Sequence, residues 1–309
     1  MNIDAKILET PIARSRSRFV DYLELMKPEL TFLSVLTTLC GFYLATKGTF
    51  DWWLFFNVAI GTTLVGGGAG TLNQFIERKY DALMKRTERR PLPAGRLLPM
   101  EVLTFGIVIS LVGIAQLSVL VNLLTGFLAF LTWSSYLFLY TPLKRVTSLS
   151  TLIGGIPGAI PPMMGWAAVR NDLSIEAWIL FAILFFWQMP HFFSLAWMYR
   201  KDYARAGFKV LSVSDEHGHR TSFQILIYLL ALIPASLAPS FAGMTGMTST
   251  ISALLLGISF LIFGVALMKF SHQSSVDSLN KVNYYSRKLF FASLVYLPVL
   301  MIVMSLDKL

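Results

Sequence analysis

Nine separate stretches of mostly apolar sequence run through this chain, near residues 30–47, 53–73, 100–120, 123–141, 150–169, 176–199, 222–242, 249–269 and 289–306. A helix needs about 20 such residues to cross the hydrocarbon of a bilayer. The chain therefore reads as all-α, a polytopic membrane bundle of about nine transmembrane helices. The narrowest division is between the third and fourth stretches, where only Val121 and Asn122 mark a turn. Composition points the same way. Only 14% of the 309 residues are charged, against about 25% in average globular chains. That length leaves no room for a second sizeable domain. Residues 29–309 are expected to form one transmembrane domain, preceded by a basic, partly mobile N-terminal segment, 1–28.

Orientation follows from the cations. Of the 26 Lys and Arg, 23 fall on one set of connections and only Lys47, Arg170 and Lys308 on the other. Cytoplasmic loops carry such an excess, so nine spans with a cytoplasmic N-terminus and an external C-terminus are expected. The net charge of +9 is then a matter of topology and of attraction to anionic lipid, and no nucleic-acid partner is implied. The single Cys, Cys40, excludes an internal disulfide and reads as a small packing residue. The N-terminus has no apolar run beside a cleavage site, so it is not a signal peptide.

The basic loops need no site to explain them, but the acids among them do. Asn73, Glu77 and Asp81 recur every four residues at the end of the second stretch. On a helix they form one slowly drifting stripe about 12 Å long. Like charges at this spacing oppose the helix, and ionisable groups near lipid are expensive unless partnered. One reading is a solvated helix end, with Asp81 paired to Lys85 and Glu77 to a neighbouring Arg. The other is a divalent cation. Mg²⁺ takes hard oxygen ligands, commonly one or two carboxylates with substrate phosphates and water. The run that follows, "RTERRPLPAGR" at 86–96, supplies Arg for phosphate oxygens and Pro to end the helix. Acids, bases and a rigid turn within one short segment suggest a diphosphate site.

That segment resembles the first aspartate-rich motif of the intramembrane (UbiA-type) prenyltransferases, and within them the protoheme IX farnesyltransferase, or heme O synthase, branch. The branch pattern R-T-x-x-R-P-L-P-x-G-R falls on Arg86, Thr87, Arg90, Pro91, Leu92, Pro93, Gly95 and Arg96. Further similar runs, in the same order, are "YTPLKR" (140–145), "IGGIPGAIPPMMGW" (153–166), "WQMPHFFSLAWMYRKDYARAG" (187–207) and "SRKLFFASLVYLP" (286–298). The family motif has Asp where this chain has Glu77. The second aspartate-rich motif is thin here: "YRKDYARAG" keeps Asp202 and Tyr203 but supplies only one acid.

The resemblance implies a Mg²⁺-dependent transferase acting on farnesyl diphosphate and heme b. The farnesyl chain would join a heme vinyl group with incorporation of water, giving heme O for heme-copper oxidases, in a bacterial cytoplasmic (inner) membrane. Partners would be those two substrates and membrane lipid, with heme-biosynthesis or oxidase-assembly proteins as further candidates. On this reading Asn73, Glu77 and Asp81 hold Mg²⁺ from one side and Asp202 from the other, while Arg86, Arg90, Lys144 and Lys201 meet the diphosphate. His191, in "WQMPHFF", is either a heme-binding residue or a histidine hydrogen-bonded inside the bundle. His217, His219 and His272 fall in polar loops. "GGGAG" (66–70) lies inside an apolar stretch without the G-K-[ST] ending of a phosphate loop, so it serves close packing or shapes a pocket. Rival readings are an aromatic or quinone prenyltransferase with the same diphosphate site, and a transporter. Spans 1, 3, 7, 8 and 9 offer a transporter almost no ionisable lining.

Overall fold

The computed structural model describes residues 17–273 and 275–309. Lys6, Arg14 and Arg16 of the expected basic leader lie outside the described residues. Twelve α-helices follow in order: α1 (Arg18–Leu25), α2 (Pro28–Ala45), α3 (Trp52–Asp81), α4 (Pro99–Leu120), α5 (Leu123–Ser134), α6 (Thr141–Leu143), α7 (Ser150–Arg170), α8 (Ile175–Met198), α9 (Arg200–Arg205), α10 (His219–Phe241), α11 (Met247–Ser271) and α12 (Val276–Leu306). A π-helical turn, Ser135–Tyr140, joins α5 to α6 into one span. Among the described residues, nine helices are long and apolar enough to cross a membrane. The only pairing of β type among them is a single bridge between Thr245 and Lys308.

Local chemistry sets the helix starts. Pro28 and Pro99 occupy first-turn positions of α2 and α4, where a missing N–H costs nothing. Asp51 caps α3 by accepting from the Leu54 N–H at 2.9 Å, and Asn122 caps α5 from Thr125 at 2.8 Å. The Asn122 cap makes the sharp turn that separates the third and fourth spans. Two boundaries differ from the apolar pattern. Helix α3 runs on to Asp81, so the acidic stripe belongs to the spanning helix itself. Helix α12 begins at Val276 instead of 289, because Ser275 caps it and the polar stretch behind that cap continues the helix. Lys281, Arg287 and Lys288 therefore stand on a helix end and not in a loop.

The spans pack as a ring. Neighbours are α2 with α3 and α7, α3 with α4, α4 with α5, α5 with α7, α7 with α8, α8 with α10 and α12, and α10 to α12 in sequence. Small residues let the walls close up. A Cβ on Gly165 of α7 would lie 1.8 Å from the Thr38 carbonyl oxygen of α2, and one on Gly68 of α3 2.1 Å from Ser110 Oγ of α4. Helices α7 and α8 continue through Pro157, Pro161, Pro162 and Pro190. Cys40 is buried, its Sγ beside Met301 and Ser305 of α12, in keeping with a packing role.

Candidate active site

Each member of the α3 stripe is bound by a cation from elsewhere in the chain. The Lys27 ammonium donates to Asn73 Oδ1 at 2.6 Å, Lys144 to Glu77 Oε1 at 2.8 Å, and Arg90 to Asp81 Oδ2 at 2.8 Å. The stripe is buried, with Asn73 at 1%, Glu77 at 6% and Asp81 at 0% exposure. The solvated helix end is thereby excluded. Lys85 is exposed and does not pair with Asp81; Arg90, five residues further on, does. Asn73 also donates to Thr141 Oγ1 at 3.1 Å, tying α3 to the end of the fourth span.

The basic loop earns its sequence residue by residue. Thr87 Oγ1 donates to the Asp81 carbonyl at 2.8 Å, closing the turn after α3. Leu92 packs with Leu25, Leu97 and Val102 in a small apolar cluster. Gly95 has φ +68°, a conformation that favours glycine. Arg96 clasps α1, donating to Asp21 at 2.7 Å and Glu24 at 3.0 Å. Arg86 bonds the Tyr203 hydroxyl at 3.2 Å and lies over the Tyr199 and Tyr203 rings, 4.8 and 5.5 Å from their centroids. Cation–π contacts of this kind fix a guanidinium without neutralising it.

Above the stripe opens a cavity of about 250 Å³. Lys27 and Tyr140 line it at the end nearest the stripe, and Gly66 and Gly70 of the "GGGAG" run lie in its wall with Trp187 and His191. Gly67 and Gly68 meanwhile meet Met26 and Ser110, so that run both packs and shapes the cavity. His191 Nδ1 sits 2.8 Å from Ser293 Oγ. That hydroxyl donates its own proton to the Phe290 carbonyl, so it accepts from His191, and the other ring nitrogen, Nε2, keeps its lone pair. The imidazole stacks beside Trp187, whose indole N–H is held by the Ser293 carbonyl at 2.9 Å, and lies 4.9 Å from the Phe290 ring centroid.

Lys27 was not singled out as a site residue by the sequence. Its signal was a lysine directly before the proline that starts the first span, hidden among many other cations. Its backbone is left-handed at φ +49°, a strained conformation of the kind that clusters at functional sites. Burial, then repulsion from Arg90, with Lys144 adding to it against the pull of Glu77, brings its pKa down to about 7. Burial likewise works against a charge on Lys144, but the adjoining Glu77 carboxylate overrides it and raises the Lys144 pKa well above the usual lysine value.

Two expected members stand apart. Asp202 pairs with Arg205 one turn along α9 at 3.3 Å, and exposed Lys201 lines a neighbouring groove with it. Among the described residues no three His, Cys, Asp or Glu side chains gather closely enough to hold an ion by themselves. The stripe nevertheless suits Mg²⁺. Asp81 Oδ1 is buried without a hydrogen-bond partner, Glu77 and Asn73 offer further oxygen donors, and the three paired cations can exchange a side-chain oxygen of the stripe for a phosphate oxygen. The other histidines remain apart from the cavity: His219 and His272 meet edge to face, ring centroids 4.3 Å apart.

The chain matches the model of the UbiA prenyltransferase family over residues 34–295. It is 43% identical over 297 residues to a protoheme IX farnesyltransferase of Solibacter usitatus (strain Ellin6076), covering 93% of this chain and 98% of that one. It is 42% identical over 295 residues to a protein of the same name from Koribacter versatilis (strain Ellin345), covering 93% of each. In fold it resembles a UbiA homolog from Archaeoglobus fulgidus bound to DMAPP and Mg²⁺, with a TM-score of 0.66, 13% identity and coverage of 90% and 99%.

Proposed function

The chain belongs to the UbiA prenyltransferase family, and from that premise we propose that it transfers the farnesyl group of farnesyl diphosphate to a vinyl group of heme b. The relatives of 42–43% identity bear the name of that reaction. One observation carries the reading: three cations converge on three oxygen-bearing side chains of one helix at the mouth of an apolar cavity.

Lys144, Arg90 and Lys27 leave their partners on α3 for the diphosphate oxygens, and Arg86, fixed on its two tyrosines, adds a fourth cation. The carboxylates of Glu77 and Asp81 and the amide oxygen of Asn73 are freed by that exchange as ligands for Mg²⁺. Bound there, the metal would supply Lewis-acid stabilisation of the departing diphosphate. Asp202, engaged with Arg205, and Lys201 are not needed for this set.

The chemistry then follows from placement. The farnesyl tail enters the cavity while its charged head stays at the stripe. The allylic C–O bond breaks with its electron pair going to diphosphate, where preorganised cations meet the growing charge. Aromatic walls, Trp187 and Tyr140 among them, keep water from the allylic cation. The vinyl carbon attacks, and water captures the resulting benzylic-type cation and loses a proton. Farnesyl diphosphate, heme b and water thus give heme O and diphosphate. His191, with its lone pair on Nε2, meets the heme. The basic end of the bundle faces the cytoplasm of a bacterial cell, and residues 29–309 act as one transmembrane domain.

Incubating the purified protein with heme b, farnesyl diphosphate and Mg²⁺ and weighing the porphyrin tests the proposal. A heme enlarged by farnesyl plus water supports it. Transfer to a quinone precursor, with heme b unchanged, would replace it by the quinone reading.

A further inference from the structure

The central cavity, at about 250 Å³, falls below the range of roughly 300–1,000 Å³ that encloses a drug-sized ligand. It has room for a prenyl chain, not for a prenyl chain and a tetrapyrrole together. A second concavity of about 580 Å³ opens at the basic end, between the α8–α9 junction and α12. Its walls combine aromatic surface, from Trp197, Tyr199 and Tyr284, with Arg200, Lys201 and Arg287.

These cations, unlike Arg90 and Lys144 of the stripe, have no acid. Among the described residues, none of the three is paired with a carboxylate. The one acid in the wall, Asp202, is engaged by Arg205. Arg200 is held in place by neutral groups: it lies 4.2 Å over the Trp197 ring centroid and donates to the Trp197 carbonyl at 3.0 Å and Asn283 Oδ1 at 3.2 Å. Asn283 in turn accepts from the Trp197 indole at 2.9 Å. Topology alone asks for basic residues at this end, but not for a groove with an aromatic floor and a braced guanidinium.

The groove also shares a seam with His191. On α12, Asn283, Arg287 and Phe290 follow one another at i, i+4 and i+7, one face of the helix. Phe290 touches the His191 ring, and Ser293 bonds it. Arg287 stands six residues from Ser293, about 9 Å along the axis. That span suits the reach from a porphyrin centre to its carboxylate arms.

We propose that this groove seats the carboxylate arms of the porphyrin acceptor, Arg287 and Arg200 taking them and the aromatic floor supporting the ring edge. The inference rests on a porphyrin being the acceptor. It places the acceptor's charged edge at the membrane surface, with its ring directed along the α8–α12 seam toward His191 and the mouth of the prenyl cavity. Tyr199 forms the partition, because it faces the groove and also lies under Arg86 of the diphosphate cluster.

The experiment is a binding cycle in neutral-lipid nanodiscs, using heme b and its dimethyl ester against wild type, Arg287→Gln, the Arg200→Gln/Arg287→Gln pair and Arg287→Lys. Wild type should bind heme b at least about tenfold more tightly than the ester, and the paired variant should bind both alike. Arg287→Lys should restore most of the difference, and farnesyl diphosphate binding should be unchanged throughout, which controls for folding. Equal affinity of wild type for the two porphyrins would overturn the proposal. So would an unchanged heme-to-ester ratio in the paired variant accompanied by a lost response to phosphatidylglycerol, which would assign the groove to lipid headgroups. Product analysis separates the two readings. Farnesylation of both porphyrins with equal KM removes the groove and keeps the activity, whereas farnesylation of neither removes the activity.

Discussion

Lys27 and Asn73 meet at 2.6 Å across 46 residues of sequence, joining the strained entry to the first span with the head of the acidic stripe. With its pKa brought down to about 7 by burial and by the cations beside it, this lysine is readily neutral in the free protein. A bound diphosphate favours its charged form.

The sign of the pH effect follows. Below about pH 7 Lys27 is already charged, and binding needs no proton. Above it, binding must take up a proton, so diphosphate affinity falls with rising pH by up to about tenfold per unit. Calorimetry in buffers of different ionisation enthalpy should show that uptake at pH 8. In Lys27→Arg, which stays charged throughout, the Lys27 contribution should vanish.

Glu77 carries two roles that variants can separate. Breaking a buried ion pair from one side costs about 3–5 kcal/mol, whereas replacing both partners by apolar groups is often neutral. Glu77→Gln should therefore lower thermal stability in detergent, and Glu77→Gln/Lys144→Met should recover it. Neither should recover farnesyl transfer, which is expected to fall at least about 100-fold. Glu77→Asp, which restores the family's usual residue, should stay within about tenfold of the parent.

The first span and α7 approach too closely for any side chain at Gly165, where an added Cβ would lie 1.8 Å from the Thr38 carbonyl oxygen. Gly165→Ala should destabilise the bundle by about 1–3 kcal/mol, as overpacked sites do, read as an earlier thermal transition.

His191 and Ser293 give a spectroscopic prediction. If Nε2 meets heme iron, His191→Ala should abolish the bound-heme spectrum or shift it. Ser293→Ala should weaken binding less, since it removes only the acceptor that fixes the ring's tautomer and orientation. The Trp187 bond survives in that variant because it uses the Ser293 backbone. Unchanged spectra in both variants would leave His191 as a packing residue.

Much of this was legible in the chain. Apolar length alone gave the nine spans, and the spacing of Asn73, Glu77 and Asp81 put them on one helix face. Their partners were less visible. Lys27 and Lys144 reach the stripe only through the ring packing of α2 and α7 and the turn after the π-helical segment, relations that no local pattern encodes. Arg90 was expected at the diphosphate, but as the partner of Asp81 the sequence offered Lys85; the Thr87 bond to the Asp81 carbonyl folds the loop back and brings Arg90 there instead. The early start of α12 escaped because hydropathy follows the bilayer and not the helix, and Ser275 caps a polar stretch. Asp202, expected at the metal from its motif, pairs with Arg205 one turn on, and among the described residues it does not join Glu77 and Asp81 in a three-acid cluster.

The central claim is that the α3 stripe exchanges its cations for a metal-bound diphosphate. Equilibrium binding of farnesyl diphosphate, titrated with Mg²⁺ in wild type and Asp81→Asn, tests it most directly. Mg²⁺ should tighten binding in the wild type at least about tenfold and have little effect in the variant. An equal response to Mg²⁺ in both would contradict it.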